Sequence, residues 1–271
     1  RGLFLHKEPL LTRRDVCLDL IPQQEPLLVR KLPRSCGEAL LALARDTSAV
    51  RYRELHGFTW GDPRHVYAID AGRGLVFYLS GLPPAHRLPL RACHSMSLWK
   101  NGVPVGYFEG LSLFERMEAG FNLYYTFRAG ETAYLYAKVL QALRQCLGVT
   151  TFVLDPYQIG HENEEGLASG AFWFYRKLGY RSTDEKLRAL TAREEARIAQ
   201  NAKYRTPAAT LRALVAAPMV YEFPGTGDGA WDHFQMRRVG LRTAREGPPK
   251  LPRALAKAKA GAEETDYLRV M

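Results

Sequence analysis

The stretch Phe127-Arg128-Ala-Gly130-Glu131-Thr132-Ala133 has the residue types of a phosphate cradle. It reads as a strand end turning directly into a helix. Amides at a helix N-terminus are unpaired and lie at the positive end of the dipole, so they bind phosphate without side-chain help. Gly130 lets the backbone come close. Glu109 on a hairpin strand, Asp155 at a strand end, and His161 and Glu162 in the following loop are groups able to take a proton from an amine, directly or through water. For each of them a solvated surface position is the alternative. His94 beside Cys93 looks like a nucleophile pair, but adjacent strand residues point to opposite faces, and the pairing fails. No G-x-x-x-x-G-K-S/T, G-x-S-x-G or H-E-x-x-H occurs, which removes phosphate-loop, serine-hydrolase-elbow and zincin chemistry. The cysteines at 17, 36, 93 and 146 have no paired spacing, so neither a disulfide framework nor a metal site is expected, and a reducing, cytoplasmic setting is.

The elements that must position these groups follow from periodicity. Leu27-Leu-Val29 fits a first strand, and Ser35-Cys-Gly-Glu38 has the spacing of a capping box opening a helix that carries Leu40, Leu43 and Ala44 on one face. His65–Ile69 and Leu75–Leu79 read as strands joined across Gly72-Arg-Gly74. A longer strand over Leu88–Trp99 meets Asn101-Gly102, a tight-hairpin signal, and Val103, Val105 and Tyr107 alternate on the return. Phe121–Phe127 is the next strand. The period then changes: Tyr136, Val139, Leu140 and Leu143 mark a helix stopped by Gly148, followed by a buried strand over Val149–Leu154.

The run Ala171-Phe-Trp-Phe-Tyr175-Arg-Lys-Leu-Gly179-Tyr180 is a helix with Phe172, Tyr175 and Leu178 on one side and a glycine C-cap. An aromatic face at this spacing is ordinarily core. The pattern A-x-x-F-Y-x-K-x-G-F/Y closely resembles the last core helix of the GNAT acyltransferase superfamily, and Phe127–Ala133 resembles that family's Q/R-x-x-G-x-G/A pyrophosphate loop. Phe127 stands where the family has its basic residue, Arg128 lies one place later, and Thr132 and Ala133 close the loop. The resemblance covers roughly residues 27–182. It implies an α/β fold, a GNAT-like mixed and mainly antiparallel sheet flanked by helices. It also implies Tyr175 as the acid for a departing thiolate, a base on the strand of Glu109, and Gly130, Glu131, Thr132 and Ala133 around the pyrophosphate. In the family an asparagine before the last helix binds the cofactor; here Asn163 lies eight residues ahead of Ala171 and is equally suited to N-capping.

Around that region the chain divides into an N-terminal arm (1–26), a charged, alanine-rich helical appendage (183–240) with helices over Ala192–Tyr204 and Pro207–Val215, and a basic tail (241–271). The chain opens on Arg1, as an excised piece would, with no signal peptide and no apolar run of membrane-spanning length. A formal net charge of +10, from 38 basic and 28 acidic residues, favours anionic partners. No recognition motif supports nucleic acid beyond that charge. The expectation is an enzyme moving an acetyl or other acyl group from acetyl-CoA or another acyl-CoA to an amine. The alternative is a catalytically degenerate fold of the same kind that binds acyl-CoA or another protein.

Overall fold

The computed structural model describes residues 3–51, 54–88, 91–127, 130–227, 229 and 231–232. The chain divides into two compact units, Arg1–Gly229 and Ala230–Met271, and the architecture below is that of the first. The basic tail and Arg237-Arg238 lie outside the described residues.

The first unit is a mixed α/β structure built on one sheet of nine strands in the order β1-β2-β3-β4-β5-β6-β7-β9-β8. Five strands, β2 (Val66–Gly72), β3 (Leu75–Gly81), β4 (Ala92–Lys100), β5 (Val103–Leu113) and β6 (Arg116–Leu123), form an antiparallel meander, with β1 (Leu28–Lys31) antiparallel on its outer edge. The β4–β5 turn falls at Asn101-Gly102, with φ of 50° and 79°, the two left-handed positions that a tight hairpin requires.

One face of the meander presents Phe77, Leu79, Met96, Leu98, Phe108 and Met117, all nearly inaccessible. They pack beneath α3 (Thr132–Leu147), whose Leu135, Tyr136, Val139, Leu140 and Leu143 form a continuous buried stripe. Gly148 stops α3 at φ 70° and returns its amide to the Arg144 carbonyl. The smaller cluster of Leu41, Phe58 and Val66 is provided by α1 (Arg34–Ala49), α2 (His56–Thr59) and β2.

The sheet turns parallel once. β7 (Thr151–Leu154) pairs with β6 at Arg116, Met117 and Glu118, and β6 then runs on to Leu123 without it. β7 is followed by α4 (Pro156–Ile159), α5 (Glu164–Ala168), α6 (Ala171–Lys177) and the short β8 (Arg181–Ser182).

Several expectations change here. β9 (Met219–Glu222) lies between β7 and β8, pairing with both, so α7 (Glu185–Gln200) and α8 (Ala208–Leu214) are an insertion into the sheet rather than an appendage after it. The physical reason is that Met219, Val220 and Tyr221 are as buried as β7 itself and complete the core. The arm is also structural: Leu18 and Ile21 are core residues, and Asp19 accepts a hydrogen bond from Tyr221 at 2.8 Å. The Ser35–Glu38 capping box does not form, because the helix begins two residues earlier, at Arg34 with Pro33 as its N-cap, and Arg34 pairs with Glu38 instead. On that helix Leu41 is the buried residue and Leu43 is exposed. The strand expected over Phe121–Phe127 ends at Leu123, and Tyr125–Phe127 is a 3-10 turn.

Candidate functional site

A cavity of about 370 Å³ opens where β6 leaves β7. Its walls come from Phe121, Asn122 and Leu123 on the unpaired end of β6, Thr132 at the start of α3, Tyr157 and Gln158 on α4, and α5 and α6 beyond. The splay follows from local sequence. Asp155 caps α4 by accepting from the Tyr157 amide at 2.9 Å, and Pro156 sets its first turn, so the chain leaves the sheet after Leu154 instead of following β6. Gln158 then reaches back across the gap and donates to the Phe121 carbonyl at 2.8 Å.

The same amide group donates to the Tyr175 hydroxyl at 3.4 Å. A carbonyl can only accept, so the atom facing Phe121 is Nε2, and both of its protons are engaged. The Tyr175 oxygen therefore receives a hydrogen bond, and its hydroxyl lines the cavity. Tyr175 is 2% exposed and packs on Tyr136, Phe174 and Tyr180. Burial pushes its pKa well above the ordinary phenol value, so the hydroxyl stays protonated. The helix carrying it ends in a Schellman motif: the Tyr180 amide bonds the Tyr175 carbonyl and the Gly179 amide bonds Arg176, with Gly179 at φ 109°.

The structure distributes the remaining sequence candidates unevenly. Thr132 lines the cavity, as do Asn163 and Tyr175. Asn163 has its polar atoms engaged, Oδ1 accepting from the Gly166 amide at 3.1 Å and Nδ2 donating to the Tyr157 carbonyl at 2.9 Å, so its side chain is the cap of α5. Glu131 turns away from the cavity. Its buried carboxylate is held by Arg73, by the Leu11 amide at 2.9 Å and by nearby Lys100, which ties the N-terminal arm to the head of α3. Gly130 packs closely: a Cβ there would stand 3.1 Å from the Phe127 ring and carbonyl. Phe127 packs against the core, Ala133 is buried in α3, and Arg128 lies outside the described residues.

Glu109 is not brought to Tyr175. Its Oε1 accepts from the Gly57 amide at 2.8 Å and faces the Cys93 thiol at 3.9 Å, on the α2 side, and it is absent from the described lining of the cavity. Asp155 is a cap, and His161 and Glu162 are exposed. Cys93 and His94 point apart as expected, and burial, together with the nearby Glu109 charge, pushes the Cys93 thiol up to about 12, which leaves it unreactive.

Two lining residues carry chemistry that the sequence did not single out. Gln158 has no motif of its own; the Asp155-Pro156 helix start is the signal that places it. Glu165 lines the cavity and accepts from Tyr125 at 3.0 Å at its mouth. It lies in the acidic run after Asn163, which reads locally as a favourable first turn of a helix. Among the described residues no group of histidines, cysteines and carboxylates could hold a metal, and no helix is long and apolar enough to cross a membrane.

The element order, an antiparallel meander followed by β6–α3–β7–α6–β8, defines a mixed, mainly antiparallel sheet flanked by helices. No family model and no curated protein matches the chain. Among solved structures it is similar to the PaiA N-acetyltransferase from Thermoplasma acidophilum in complex with coenzyme A. The two are 13% identical over 73% of this chain and 100% of that one, with a TM-score of 0.28, a likeness too distant to carry weight by itself.

Proposed function

We propose that this protein moves an acetyl or other acyl group from coenzyme A to an amine acceptor. The observation that carries the reading is the meeting, in one cavity, of a strand end that β7 leaves uncovered, a helix N-terminus and the buried Tyr175 hydroxyl. Each matches a part of an acyl-CoA. The open main chain of β6 offers hydrogen bonds to an extended amide-containing arm, as a neighbouring strand would. The first turn of α3, from Thr132, offers the positive end of its helix dipole to the pyrophosphate, although the Thr132 amide itself donates to the Gly130 carbonyl at 2.9 Å. An acyl-CoA when bound would supply the activated thioester, with coenzyme A thiolate as the leaving group.

In this reading Tyr175 gives its proton to the departing sulfur, and Gln158 donates a hydrogen bond to its oxygen. Glu165, the carboxylate among the described lining residues, is the group placed to take up the amine proton, with Tyr125 holding it. Glu109 has a structural task at Gly57 and is not the base. Asn163 and Glu131 hold the site's frame and leave the cofactor to backbone groups.

The test is transfer from acetyl-CoA to a panel of primary amines, followed by the release of free thiol. Thiol release that depends on the amine and falls by a factor on the order of 10²–10⁴ in Tyr175→Phe supports the reading. Saturable coenzyme A binding without transfer to any amine would instead favour the non-catalytic acyl-CoA-binding protein.

A further inference from the structure

A second and larger cavity, of about 580 Å³, lies at the opposite end of the meander strands, below the C-terminal end of α3. Its apolar wall includes Leu79, Leu82, Leu88 and Leu147, while Arg87, Arg91, His65 and His94 supply its polar groups. No carboxylate is among the described lining residues. That sets it apart from the first cavity, whose described lining includes Glu165 and no cation.

The charges do not balance within it. Arg91 pairs with Glu118 at 3.0 Å, and His65 with the buried Asp62 at 2.9 Å. Arg87 donates to the Leu82 carbonyl at 3.4 Å but has no carboxylate partner among the described residues. His94 is half-buried, without a hydrogen-bond partner among the described residues. Burial lowers its pKa, so it stands as a neutral imidazole with one donor and one acceptor to offer. The site therefore has one uncompensated positive charge, one free imidazole and an apolar floor.

We infer that this cavity binds a small organic carboxylate with an apolar body, its charge at Arg87 and His94 and its hydrocarbon against Leu79, Leu82 and Leu147. The volume falls within the range of small-molecule pockets. A single uncompensated guanidinium is matched by a single negative charge, and a carboxylate is a monoanion at neutral pH. A phosphate monoester carries closer to two charges there and would leave one unpaired. The inference does not depend on coenzyme A binding elsewhere in the molecule.

The probe is octanoate, titrated calorimetrically into the full chain, with octan-1-ol as the neutral control of the same length. Two variants accompany the wild type. Arg87→Gln removes an exposed charge that holds no ion pair among the described residues. Gly81→Leu fills the cavity, since a Cβ at Gly81 meets nothing closer than His94 Nδ1 at 3.8 Å. Saturable octanoate binding at sub-millimolar levels is expected, weakened at least tenfold in Arg87→Gln and lost in Gly81→Leu while both keep the wild-type melting temperature within a few degrees. Octanol is expected to bind at least tenfold more weakly. No saturable octanoate binding at 10 mM, equal affinity for the alcohol, or undiminished binding in a folded Gly81→Leu would each overturn the inference.

Discussion

Gln158 donates one amide proton to the Tyr175 hydroxyl and the other to the Phe121 carbonyl, so a single side chain on α4 ties the open end of β6 to the hydroxyl on α6. The consequence is that the Tyr175 hydroxyl and the open strand end are not independent features. A change at residue 158 disturbs both, whereas a change at the Tyr175 hydroxyl disturbs only one.

Removing that hydroxyl is the simpler case. Tyr175→Phe keeps the ring against Tyr136 and Tyr180, so the packing survives and the loss of one hydrogen bond costs about 1 kcal/mol. Turnover falls on the order of 10²–10⁴-fold with little change in cofactor affinity. Steady-state kinetics beside thermal unfolding check this, and unchanged turnover would leave Tyr175 as core.

Gln158→Glu gives a distinct signature. An ionised carboxylate cannot donate to the Phe121 carbonyl, while the protonated acid can, so activity lost at neutral pH should return in part as pH falls through the carboxyl range. The pH–rate profile of the variant divided by that of the wild type reads this, and a flat ratio would contradict the positioning role.

Glu109→Ala separates structure from catalysis. The Gly57 amide, in a buried turn of α2, would lose its acceptor at a cost on the order of 1–3 kcal/mol, while transfer changes by only a few-fold in the folded fraction. A large rate loss at unchanged stability would restore Glu109 as the base.

The Glu131 cluster predicts acid sensitivity. Burial alone would raise the Glu131 pKa, but the Arg73 contacts and the Leu11 amide outweigh it and hold the group below the ordinary 4.5. A carboxyl whose folded pKa is depressed stabilises the protein above its unfolded pKa, and that contribution is lost as pH falls from about 4.5 through the folded value. Asp62, held far below the carboxylate range chiefly by Arg64, works in the same direction. Glu131→Gln should therefore be less stable at neutral pH and show a shallower loss of stability below pH 4.5 in denaturant titrations.

What could be read from the sequence was local. Gly148, Asn101-Gly102 and Gly179 mark left-handed positions that few other residues tolerate, and all three fall where expected. Period-2 and period-3.6 stripes gave the meander and α3 for the same reason, because each depends on near neighbours in the chain. β9 escaped because its place between β7 and β8 depends on partners far away in sequence, and Met219-Val-Tyr-Glu222 is too short to stand out. The arm escaped likewise: Leu18 and Ile21 sit in a proline-broken segment with no period to reveal burial. At the cavity, the helix that carries Tyr175 was legible from its spacing, whereas Gln158 reaches across a gap that only the fold creates.

The measurement that bears most directly on the account is calorimetric titration of coenzyme A into the wild type and into Thr132→Glu. A glutamate in the first turn of α3 favours the helix dipole, so the fold should be as stable as before, but its charge opposes a phosphate at the same amides. Micromolar binding by the wild type, weakened at least tenfold in a Thr132→Glu variant of equal or higher melting temperature, is the predicted result. No saturable binding by the wild type at millimolar coenzyme A, or equal binding by the variant, would contradict it.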